Sequence, residues 1–138
     1  MPTSHRTILT VMVLALAGCS DGRGPPVRII VPSDYRGEFL IVESPEGGDI
    51  PLREGKDVCL IPRDGKLIVR SLAPFQRWHG ESIVFDDGTR PKHYDHPAHA
   101  KPDEFAAFGG GIEIGGGATS RPAMHFFVGT TQQATAVF

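Results

Sequence analysis

Three histidines and an aspartate crowd one short run, Lys92-His93-Tyr94-Asp95-His96-Pro97-Ala98-His99. Imidazole nitrogens and carboxylate oxygens are ligands that Zn2+ or Cu2+ takes, so His93, Asp95, His96 and His99 are the first candidates for chemistry. Backbone geometry limits them. In an extended strand His93 and His96 face opposite sides. In a polyproline helix 93, 96 and 99 share an edge but stand roughly 9 Å apart per step. A metal holds each imidazole at about 2.1 Å, so the segment has to turn, and Pro97 is the natural corner. Pro97 also steers His96 away from the α conformation, which disfavours a helical i, i+3 pair. The plain alternative is a solvated loop with no cofactor. His79 and His125 lie elsewhere in the chain.

Other reactive types carry weaker patterns. Glu81, Asp86 and Asp87 offer an acid and a base, but they flank a strand and a turn where solvated carboxylates are ordinary. No Gly-x-Ser-x-Gly elbow is present. The triplets Gly109-Gly110-Gly111 and Gly115-Gly116-Gly117 lack the Lys-Ser/Thr that a phosphate loop needs, and suit close backbone approach better. Cys59 sits in Val58-Cys59-Leu60-Ile61 and reads as a small buried hydrophobe rather than a catalytic thiol. Trp78, near Phe75, is expected to plug the core, with an exposed ligand platform as its second role.

The remaining special residue is Cys19. Arg6 precedes an uncharged apolar run from Ile8 to Ala17, the pattern of a secretory leader and too short to cross a bilayer. The run ends in Leu16-Ala17-Gly18-Cys19, and these four residues resemble a bacterial lipobox. That resemblance implies cleavage before Cys19, a diacylated Cys19 sulfur and an acylated amine. Two or three acyl chains make membrane attachment persistent where one is marginal. Ser20 stands where some retained lipoproteins carry Asp, so the resemblance implies the outer membrane if the cell has one: its periplasmic face, or the cell surface. With Cys19 acylated, Cys59 has no partner for a disulfide.

Behind the anchor, residues 20–26 (Ser-Asp-Gly-Arg-Gly-Pro-Pro) read as a flexible tether. The expected organisation is therefore a leader over 1–18, the acylated Cys and tether over 19–26, and one domain over 27–138. The formal charge of −2, one unit more negative once Arg6 leaves, argues against a nucleic-acid partner. Apolar β-branched runs at 27–31, 38–43, 58–61, 66–72, 82–85 and 123–128 alternate with turn residues, and 17 Gly and 12 Pro punctuate them. Asp64-Gly65 predicts a hairpin between 58–61 and 66–72. Pro102, two acids and Gly109 predict a short helix near 102–108. The expected fold is an all-β, single antiparallel β-sandwich of about seven short strands.

Turn residues add a second likeness. Pro32-Ser33-Asp34-Tyr35-Arg36-Gly37, Ile61-Pro62-Arg63-Asp64-Gly65 and Phe127-Val128-Gly129-Thr130 resemble the motifs of a family of small secreted bacterial domains of unknown function. The first half is more loosely similar to transthyretin-like and carboxypeptidase-regulatory-like sandwiches. Neither brings catalytic residues. The expected function is a membrane-anchored envelope lipoprotein acting as a binding or structural module. Its rivals are a metal-dependent periplasmic enzyme using the His93–His99 loop and a subunit of an envelope complex with a protein partner.

Overall fold

A computed structural model describes residues 22–113 and 121–138. The leader, Cys19, the first two tether residues and glycines 115–117 lie outside the described residues. Nine strands run β1 (Val27–Val31), β2 (Gly37–Gly48), β3 (Leu52–Arg53), β4 (Lys56–Leu60), β5 (Lys66–Val69), β6 (Glu81–Phe85), β7 (Lys92–Tyr94), β8 (Phe105–Glu113) and β9 (Ala123–Thr130) among those residues. Two short helices join them, α1 (Ala73–Gln76) and α2 (Thr131–Thr135), with a 3-10 turn at Pro97–His99.

The strands form two sheets, in the orders β3-β4-β1-β6 and β5-β2-β9-β8-β7. Both are mixed, which corrects the antiparallel expectation. β1 is parallel to β4 and to β6, β2 to β5, and β7 to β8. From β1 to β7 the chain keeps crossing between the sheets: first sheet, second, back through β3 and β4, then β5, β6 and β7 in alternation. A parallel neighbour needs a long crossover. For β1 with β4 and β6, and for β2 with β5, an excursion through the opposite sheet supplies it, whereas β7 reaches β8 through the segment that carries the 3-10 turn.

That crossing also corrects the hairpin. The Asp64-Gly65 turn forms as its residues require, with Gly65 at φ 76 and its N–H donating to the Pro62 carbonyl at 2.9 Å. It joins β4 of one sheet to β5 of the other, so the two strands it connects do not pair. The Asp87-Gly88 turn does the same between β6 and β7.

One core lies between the sheets. Val27, Ile29, Val31, Cys59, Ile83 and Phe85 come from the first, and Phe39, Ile41, Val69, Ala107, Met124, Phe126 and Val128 from the second. Phe39 and Phe126, opposite each other in register, stack at 4.9 Å between centroids. Such a pair contributes about 0.5–1.5 kcal/mol beyond its burial. A smaller cluster of Ala106, Phe108, Phe127 and Ala134 packs on the outer face of the second sheet. Here α2, started by a capping box of Thr130 and Gln133, covers the strands. Strand β9 is thus buried on both faces over residues 123–129, His125 included, which explains why its sequence does not alternate apolar with polar.

The helix expected near 102–108 is replaced by β8. Ala106 and Phe108 face the outer cluster while Ala107 faces the central core, the two-residue alternation of a strand. The supposed helix start is a tight turn. Glu104 N–H donates to the Lys101 carbonyl at 3.2 Å, and Asp103 takes the left-handed φ of 58 beside Pro102.

Candidate functional site

The loop histidines hold separate positions. His93 on β7 turns inward, its ring 6.2 Å from that of Phe126, and its Nε2–H donates to the Gly109 carbonyl at 2.8 Å. His96 is extended at φ −144 and ψ 144, as Pro97 demands, and its Nδ1 accepts from Ala98 N–H at 3.1 Å. It caps the 3-10 turn. His99 lies at the far end of that turn with its ring 6.2 Å from that of His96, and Asp95 is exposed. Among the described residues, no three His, Cys, Asp or Glu side chains are grouped to hold a metal ion.

His93 instead faces a residue that spacing alone did not connect to it. Glu81, first in β6, lies with Oε2 3.3 Å from His79 Nε2 and Oε1 4.0 Å from His93 Nδ1. His79 Nδ1 lies 2.6 Å from the Arg77 carbonyl. A carbonyl only accepts, so both rings spend one N–H on the backbone and turn the other nitrogen to Glu81. The contact is an ion pair only when an imidazole is protonated. The group joins the two sheets, since Glu81 belongs to β6 and His93 to β7.

A glycine bulge shapes this corner. The β8–β9 register shifts between Gly109 and Ile112, and Gly109 and Gly110 have φ of 102 and 132. A Cβ on Gly109 would run into the His125 carbonyl, and one on Gly110 would come within 3.3 Å of Glu81 Oε1. Within the first glycine triplet, Gly109 thus serves close approach of backbone to backbone, while Gly110 faces a side chain and Gly111 open space.

Trp78 departs from its expected role: it is 70% exposed and Phe75 alone enters the core. The chain arriving from the N-terminus runs beside it. Gly24 N–H donates to the Trp78 carbonyl at 2.9 Å and Val27 N–H to that of Gly80 at 2.8 Å. On the other flank Asp57 N–H donates to the Pro26 carbonyl at 2.9 Å. Arg77, paired with the buried Asp57 carboxylate at 2.7 Å, fills the space against Gly24. The C-terminal part of the expected tether is therefore fastened to the domain.

Two further groups, Glu104 and Cys59, are shifted by their surroundings. Glu104 accepts from Lys92 Nζ at 2.9 Å, Lys101 N–H at 3.0 Å and Tyr94 OH at 3.0 Å. The Lys92 contact, then the backbone N–H, hold its carboxyl at about 2. Cys59 is buried at 1% exposure, and desolvation, reinforced by the charges of Asp57 and Glu81, pushes its thiol up to about 12. It is no nucleophile at neutral pH. Asp86 accepts from Ser33 N–H and Asp87 from Thr89, both beyond the far end of β6 from Glu81, so neither pairs with Glu81. A cleft of about 150 Å³ opens between β4 and β5, lined by Ile50, Val58, Leu60, Leu67, Ile68 and Val69.

No protein-family model matches the chain, and no curated protein matches it. The likeness to a secreted domain family therefore rests on the turn residues alone. Among solved structures, the chain is similar to a candidate lipoprotein from Bacillus anthracis solved at 2.75 Å. The two share 17% identity over 77% of this chain and 71% of the other, with a TM-score of 0.45. Likeness at that level decides neither fold nor function.

Proposed function

We propose that the chain is a lipid-anchored bacterial envelope protein whose folded domain is a binding module. The observation that carries this reading is Leu16-Ala17-Gly18-Cys19, placed at the end of a leader-like run and just ahead of the domain. Acyl chains on Cys19 would bind the protein durably to a membrane. Among the described residues no helix is long and apolar enough to cross one. In support of a binding role, Leu60 and Ile68 are 53% and 44% exposed at the cleft between β4 and β5. Among the described residues strand β5 has only β2 as a neighbour, leaving one edge unpaired.

The test is metabolic labelling of the full chain with an alkyne fatty acid in a bacterial host. Wild type should take up label and Cys19→Ala should take up none. An unlabelled wild type, or label retained by the variant, contradicts the reading.

A further inference from the structure

The anchor and the domain are closely spaced. Gly24, five residues beyond Cys19, is already hydrogen-bonded to Trp78. Fully extended, that stretch spans at most about 18 Å. The headgroup layer on each side of a bilayer is itself roughly 5–8 Å thick. A chain acylated at Cys19 thus keeps the end of the domain around Gly24 within about 18 Å of the anchor residue at the membrane surface.

The residues at that end suit a lipid surface. Trp78 is the chain's single tryptophan and lies beside the entering segment, 70% exposed. Indole has a large apolar body and one N–H, and it is at home where hydrocarbon meets headgroups. On the opposite flank Leu52, 61% exposed, pairs in register with Asp57, the residue bonded to Pro26. The turn between β3 and β4 adds the cations Arg53 and Lys56, with Glu54 between them. Two exposed apolar side chains therefore flank the entry segment, and basic groups stand beside one of them. Basic residues near a surface are attracted to anionic headgroups, and apolar ones gain by leaving water.

We propose that this end of the domain docks on the phospholipid surface that holds the anchor, with Trp78 and Leu52 seated among the headgroups on either side of the entering chain. The proposal rests on acylation of Cys19 and adds an orientation: the entry end is held down and the domain does not swing freely on its tether. The cleft between β4 and β5 would then keep a fixed direction relative to the membrane.

Because Trp78 is the only tryptophan, its fluorescence reports this contact directly. The acylated full chain is reconstituted into phosphatidylethanolamine–phosphatidylglycerol vesicles and compared with the unacylated Cys19→Ser chain in buffer. Docking predicts a shift of emission to shorter wavelength, several-fold weaker quenching by iodide and strong quenching by lipids brominated near the headgroup. Arg53→Glu with Lys56→Glu should weaken the bromolipid quenching. If the acylated protein floats with the vesicles while its emission and iodide quenching match the unacylated chain, the docking is overturned and the anchor stands. If the protein carries no acyl chain and does not float, the anchor reading fails and the docking falls with it.

Discussion

Glu104 gathers a lysine ammonium, a backbone N–H and a tyrosine hydroxyl around one carboxylate. All three donate to the ionised form, so the folded state holds its proton more weakly than the unfolded chain, at about 2 against the usual 4.5. The stability this supplies is fully present above about 4.5, declines as pH falls and is gone below about 2. Glu104→Gln should therefore flatten the acid limb. Melting temperatures followed from pH 6 to 2 should fall more steeply for wild type than for the variant between 4.5 and 2. Parallel curves would refute the assignment. The network also ties β7 to the turn before β8, since Lys92 and Tyr94 are on one and Glu104 precedes the other. The loop that carries the histidines is held at both ends by these contacts.

Among the elements, the bulge in β8 makes a strict demand on residue type. Gly109 has a left-handed φ and a neighbouring backbone where a Cβ would stand, whereas the exposed Gly111 has open space. Gly109→Ala should cost at least about 1–3 kcal/mol from backbone strain alone, and Gly111→Ala should be close to neutral. Urea denaturation of both variants checks this, and equal midpoints would contradict the bulge geometry. The same element shows where reading the chain stops. Apolar runs located most strands, because burial of alternate side chains is a local pattern. Turn chemistry placed the Asp64-Gly65 turn correctly. Which strands pair across such a turn depends on the opposite sheet, and no local residue encodes it. The turn at Pro102-Asp103 imitated a helix start, since proline and acids suit both. The capping box of Thr130 and Gln133 is written in the sequence as Thr-x-x-Gln and marks the start of α2. At the site, His93 was legible as a polar residue of interest. Glu81 was legible as a candidate acid, but its meeting with His93 was not, because β6 and β7 fall in different sheets.

As a whole molecule, the protein is two mixed sheets around one core, entered by a chain that is caught at Gly24. The central claim is that this domain is carried on a lipid at Cys19. Mass spectrometry of the protein purified from its native host tests it most directly. The account predicts a chain that begins at Cys19, with a thioether-linked diacylglycerol on the sulfur and an acylated amine. A free sulfhydryl at that position, or a leader still attached, would contradict it.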